Sequence, residues 1–238
     1  QRLAAAKIPL QTLRHIFITH QHSDHNLDYG NLIHLAWAVG LETRVDTWGP
    51  PPLEKMTRLF LEMNEYDINI RIKDESYPPL APLVHPHELT QGGVVLSEGP
   101  VKVTAALVNH PIVEPAFAYR FDTPDRSIVI SGDTAFSDNL IELAKGADVL
   151  VHEAMHLKGV DRLVARVPNH PGLRQHLLAS HTTVEDVGRV AQAAGVKLLV
   201  LSHLVPADDP AITDAMWIDG ARLHYRGPVI VGKDLLEL

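Results

Sequence analysis

Apolar and polar positions along the chain alternate between a strand-like and a helix-like period. Leu13 to Thr19 is apolar and β-branched and predicts a buried strand. It runs into a polar loop, His20-Gln21-His22-Ser23-Asp24-His25. Leu27 to Val39 predicts an apolar-rich helix stopped by Gly40. Thr43 to Trp48 is a short strand, broken by Gly49-Pro50-Pro51-Pro52. From Leu53 to Tyr66 the positions Leu53, Met56, Leu59/Phe60 and Met63 recur every three or four residues, which predicts a helix. Residues 67–80 show no such period and contain Pro78-Pro79, so they are read as irregular.

The middle of the chain is β-rich. Val94 to Leu96, Val101 to Asn109, Ala116 to Phe121 and Ser127 to Ile130 are apolar runs between turn signals. Asp138 is placed to cap a helix over 139–145, and Asp148 to His152 is another buried strand. Residues 156–181 hold basic, Pro and His residues without a clear period and read as a long loop or a partly helical cap. Thr183 to Ala194 is a helix with Thr182 or Thr183 as its cap and Gly195 at its end. A strand over Lys197 to Ser202, a helix over Pro210 to Asp219 and a strand over Val229 to Val231 follow. No repeat and no low-complexity linker divides the chain, so residues 1–238 are expected to form one domain of α/β class.

Composition narrows the chemistry. The chain has 238 residues with 45% hydrophobic and 21% charged residues, enough for a sizeable core and too apolar for disorder. No apolar run approaches the roughly 18 residues that span a bilayer. With 21 Lys+Arg against 29 Asp+Glu the net charge is -8, which argues against gripping a phosphate backbone through broad electrostatics. There is no cysteine, so disulfides, thiolate metal sites and Cys nucleophiles are excluded. The compartment stays open, with the cytoplasm favoured and the periplasm allowed if a signal peptide has been removed upstream of Gln1. Histidine, by contrast, is abundant at 15 residues.

Several of these histidines stand where apolar strands stop. In His20-x-His22-x-Asp24-His25, a loop at a strand end lets residues two apart converge: His20 and His22 can share one metal while Asp24 and His25 reach a second. Imidazole and carboxylate together suit zinc, and also iron or manganese. His110 follows the strand 101–109, Asp133 the strand 127–130 and His203 the strand 197–202. Singly each is more often a turn residue; with the first motif they make seven candidate ligands.

These words resemble the metallo-β-lactamase superfamily of metal-dependent hydrolases, in the branch of the tRNA 3′-processing endonucleases (ribonuclease Z) and the zinc arylsulfatases. The matching words are Thr19-His20-Gln21-His22-Ser23-Asp24-His25, Asn109-His110-Pro111, Ser131-Gly132-Asp133-Thr134, His152-Glu153-Ala154, His181-Thr182-Thr183 and Leu201-Ser202-His203. The first and the Gly-Asp-Thr are specific to the superfamily, and the His-Glu-Ala and His-Thr-Thr to the branch. The resemblance implies a four-layer αββα sandwich with metals at one edge of its sheets. It also implies that N-terminal strands usual in the family are missing before Leu13, and that the protein is a homodimer. His20, His22 and His110 would hold one zinc, Asp24, His25 and His203 a second, with Asp133 bridging; Mn2+ or Fe2+ are possible substitutes. Two such ions about 3.5–4 Å apart can hold a hydroxide that attacks the substrate. Asp24 counts as catalytic as well as a ligand, His181 is the expected proton donor, and Glu153 would orient it through a carboxylate–imidazole hydrogen bond.

Within the superfamily the residues discriminate further. His22 stands where the iron oxygen-reducing members carry Glu, and the chain ends too soon for the helical domain of glyoxalase-type thioesterases. The leading expectation is a dinuclear zinc hydrolase of a small ester, of aryl sulfate, phosphodiester or lactone type. tRNA 3′ processing is the rival, and a metal-binding scaffold without catalysis the alternative of another class. Against the rival, Leu204-Val205-Pro206-Ala207-Asp208-Asp209 replaces the Ser- and Arg-containing signature after the last ligand, and no basic arm is visible. A nucleic acid partner is therefore the less expected one. Arg162, Arg166 and Arg174 offer a possible grip on an anionic group, although a solvated loop is the favoured reading.

Overall fold

In the computed structural model residues 2–238 are described, and they form two compact units, one running to Thr90 with Glu237–Leu238 added, the other Gln91–Leu236. The class is the expected one, mixed α/β with sheets flanked by helices. Among the described residues, no helix is long and apolar enough to cross a membrane.

The first unit carries a parallel three-stranded sheet in the order β1 (His15–Phe17), β2 (Val45–Gly49), β3 (Val84–Glu88). Its helices are α1 (Arg2–Ala5), α2 (Ser23–Asn26), α3 (Asp28–Ala38), α4 (Leu53–Met63) and α5 (Glu65–Glu75). Trp37, Leu53, Leu80 and Ile33 fill its core, and Trp37 Nε1 donates to Pro78 O at 2.9 Å. Two expectations fail here. Residues 67–80 are not irregular throughout, because α5 occupies most of them. Ile68, Ile70 and Ile72 alternate at a strand-like spacing, which hid the helix; the Asp67–Arg71 and Arg71–Glu75 pairs, four residues apart, brace it. β3 was not foreseen either, since its sequence contains Pro86. That proline is tolerated because β3 is an edge strand.

The second unit is built on a seven-stranded sheet. In chain order its strands are β4 (Gly93–Glu98), β5 (Val101–Val108), β6 (Ala116–Asp122), β7 (Ser127–Ile130), β8 (Val149–Met155), β9 (Leu198–Val205) and β10 (Val229–Val231). The sheet order is β10-β9-β8-β7-β6-β5-β4, parallel from β10 to β7 and antiparallel from β7 to β4. Near-continuous apolar runs in β8 and β9 follow from burial on both faces. The helices are α6 (Asp138–Ala144), α7 (Leu157–Ala165), α8 (Leu173–Ser180), α9 (Val184–Ala194) and α10 (Asp214–Arg222).

Helix ends explain several boundaries. Ser137, not Asp138, caps α6 by accepting from Leu140 N. Thr183 caps α9, which ends on left-handed Gly195, and Thr213 caps α10, which starts and ends later than the predicted span. The 156–181 segment is two helices. α7 is amphipathic, and its Val160 packs with Met155, Leu177 and Val205.

Candidate functional site

The first unit holds four of the predicted site residues within one turn of chain. β1 delivers the backbone to Ile18, and the chain then turns so that His20 is fully buried. His22 is the residue before α2, and Asp24 and His25 lie on that one-turn helix rather than in open loop. His20 Nε2 is 3.3 Å from His22 Nδ1, and the His20 and His25 rings are 4.1 Å apart between centroids. Asp24 Oδ2 lies 3.3 Å from His25 Nε2. Thr19 Oγ1 is 3.1 Å from His20 Nδ1, which fixes the ring orientation and frees Nε2 for the cluster.

The second unit gathers its residues from separate strands. His110 follows β5, is fully buried, and donates from Nδ1 to the carbonyl of Ser180 at 3.0 Å. That bond leaves Nε2 as the atom with which His110 could ligate a metal. Asp133 follows β7 after left-handed Gly132 and is 3% exposed. His203 does not follow a strand as expected but lies inside β9. The β8–β9 register jumps there, from Glu153–Ser202 to Ala154–Leu204, so His203 is the extra residue of a bulge, with φ +41°. The bulge throws its ring out of the ladder, with Nε2 3.4 Å from Asp133 Oδ2. Asp133, His181 and His203 each offer a ligand atom within 4.8 Å of the others.

Behind them sits a carboxylate–imidazole pair. Glu153, on β8, is 2% exposed. Its Oε1 accepts from Thr182 N at 2.9 Å and Thr134 N at 3.2 Å, and lies 3.3 Å from His181 Nδ1. Burial raises the Glu153 pKa, and the His181 hydrogen bond opposes that rise. The His181 ring stacks on His203 at 5.7 Å. Neighbouring His152 is fully buried and donates from Nδ1 to the Glu153 carbonyl; burial lowers its pKa to about 4.

The sequence did not reveal the supports. Ser180 holds His110 through its carbonyl, and its hydroxyl donates to Pro111 O while accepting from His176 Nδ1 at 3.2 Å. The two amides on Glu153 were visible only as Thr134 and Thr182 in the motif words. The three cap arginines are committed elsewhere: Arg162 to Asp209, Arg166 to Asp208 and Arg174 to Asp161. They form a solvated, paired surface rather than an anion grip.

A mixed set of imidazoles and carboxylates, with His20 and His110 oriented through their Nδ1 atoms, fits a divalent cation, zinc foremost. The Beta-lactamase superfamily domain family matches residues 1–204. A ribonuclease Z of Mycobacterium sp. (strain KMS) is 32% identical over 98% of this chain and 80% of its own length. One from Mycobacterium bovis (strain BCG / Pasteur 1173P2) is 29% identical over 99% and 82%. Among solved structures, the short form of human tRNase Z superposes with TM-score 0.67 at 19% identity, covering 98% of this chain and 82% of that one. A metallo-β-lactamase fold protein of Bacillus subtilis gives TM-score 0.64 at 21% identity, covering 97% and 79%. The chain therefore belongs to the metallo-β-lactamase superfamily, in its ribonuclease Z branch, and is a metal-dependent hydrolase.

Proposed function

We propose that the protein is a phosphodiesterase of ribonuclease Z type that cuts tRNA precursors at their 3′ side. The observation that carries this is likeness to ribonucleases Z over nearly the whole chain, at up to 32% identity among those compared. The small-ester reading of the sequence gives way to it, because those relatives speak for RNA.

The family match runs across the boundary at Thr90. By the family likeness His20, His22 and His110 would hold one zinc and Asp24, His25 and His203 a second, and Asp133 would serve both. Such ions supply Lewis acidity toward a phosphodiester and lower the pKa of water from 15.7 to about 7. The protein's own part is positioning and proton transfer. The Ser180 carbonyl fixes the tautomer of His110, and the Thr19 hydroxyl orients the His20 ring. Glu153, held by two backbone amides, engages Nδ1 of His181, so Nε2 of His181 is the atom that gives a proton to the leaving ribose oxygen.

The test is a substrate panel on zinc-loaded protein: a tRNA precursor with a 3′ trailer, an aryl sulfate, a lactone and bis(4-nitrophenyl) phosphate, each with and without chelator. Chelator-sensitive release of the 3′ trailer is expected. Rapid sulfate or lactone hydrolysis with an intact precursor would return the assignment to a small ester.

A further inference from the structure

From the surface around His110 we infer a nucleobase-stacking subsite formed by Phe136 and Ile112, an inference that rests on the RNA reading above. Both residues sit three or fewer positions beyond a proposed ligand, Ile112 after His110 and Phe136 after Asp133. His110 and Asp133 are buried, yet Ile112 is 94% exposed and Phe136 42% exposed. The two segments are tied together. Ala135 N donates to Asn109 O at 2.7 Å, and Asn109 Nδ2 donates to Phe136 O at 2.9 Å. The turn carrying Ile112 is closed by Val113 N donating to His110 O and anchored through Pro111 O to Ser180. Exposed apolar groups on braced backbone beside buried ligands are held ready for a flat apolar partner rather than left out by a floppy loop.

The charges select the partner. The net charge is -8, and Arg162, Arg166 and Arg174 are all spent on carboxylates. A phosphate backbone gains little from such a surface, whereas the neutral face of an unpaired base loses nothing there. Stacking on an aromatic side chain contributes about 1–3 kcal/mol per base by alanine substitution and tolerates any sequence. A nucleotide flanking the scissile phosphate therefore leaves its own stack and lies against Phe136, with Ile112 closing the edge of the subsite.

The test is a cycle between protein and substrate. Cleavage of a tRNA precursor is measured for wild type, Phe136→Ala, Phe136→Trp and Ile112→Ala, on intact RNA and on RNA made abasic at each nucleotide flanking the cut. Binding to chelated protein is followed in parallel by fluorescence anisotropy, and melting temperatures check folding. Phe136→Ala is expected to weaken binding and raise KM about tenfold, the fold-change that 1.4 kcal/mol gives. Phe136→Trp restores binding, Ile112→Ala has a smaller effect, and one abasic position removes the difference between wild type and Phe136→Ala. If wild type cuts the precursor but Phe136→Ala changes neither KM nor binding by more than about twofold, the subsite is wrong and the RNA reading stands. If wild type hydrolyses only small esters, both fall. Equal losses on intact and every abasic RNA also overturn the subsite.

Discussion

His20, His22, Asp24 and His25 come from one short stretch of chain, whereas His110 and Asp133 follow β5 and β7, and His203 sits at a bulge inside β9. The first set depends on a turn and a single helical turn, and each member is within reach of the next through local backbone alone. The second depends on the register of a seven-stranded sheet, on left-handed Gly132 and on the bulge at His203. The second set also has the deeper support, from Ser180, Thr134, Thr182 and Glu153. A locally encoded set is easy to read and easy to lose by one substitution. A globally encoded set is harder to read and is sensitive to changes remote from its ligands.

The largest effect expected is loss of a ligand. His22→Ala in the first set and Asp133→Ala in the second should each reduce turnover to background while the cooperative melt is kept, as read by activity assay and circular dichroism. Residual activity in one variant alone would show that the two sets are not equivalent partners. Next comes the support. Glu153→Gln keeps the shape but removes the charge facing His181, and about a 10–100-fold loss of activity is expected, as for other residues that orient site histidines. Its pH–rate profile should shift with it, which a merely structural loss would not produce.

Stability separates the two units in another way. Trp37→Ala empties the core of the first unit and should cost about 3–5 kcal/mol in urea unfolding. Thr183→Ala removes only the cap of α9 in the second unit and should cost about 1 kcal/mol. The pH dependence comes from His152. Its folded pKa of about 4 lies below the ordinary 6.5, so between those values the unfolded chain binds more protons than the folded one. Stability is full above about pH 6.5 and falls as the pH drops toward 4. His152→Gln should flatten that slope in acid unfolding curves, and an unchanged slope would acquit His152.

The sequence made the placement of His110 and Asp133 just after β5 and β7 legible, because apolar strands stopping at His and Asp are local patterns. It misplaced what depends on pairing. The strand ending at Ser202 in the sequence runs on to Val205, since a bulge lets His203 leave the ladder without ending it. α5 was hidden by isoleucines at alternate positions, and β3 by Pro86, whose tolerance needs knowledge of which strand is at the edge. The pairing of Arg162 and Arg166 could not be read because their partners, Asp209 and Asp208, lie more than 40 positions away. Ranking RNA as the less expected partner rests on net charge, on a missing Ser- and Arg-containing signature and on the lack of a visible basic arm, and none of these describes what an uncharged base face would meet.

The proposed function assigns both the local and the dispersed residues to zinc binding. The most direct measurement is zinc per chain, by elemental analysis of wild type, His22→Ala and Asp133→Ala after dialysis against trace zinc. The account predicts about two ions in wild type and a clear fall in both variants. A full zinc complement in either variant would contradict it.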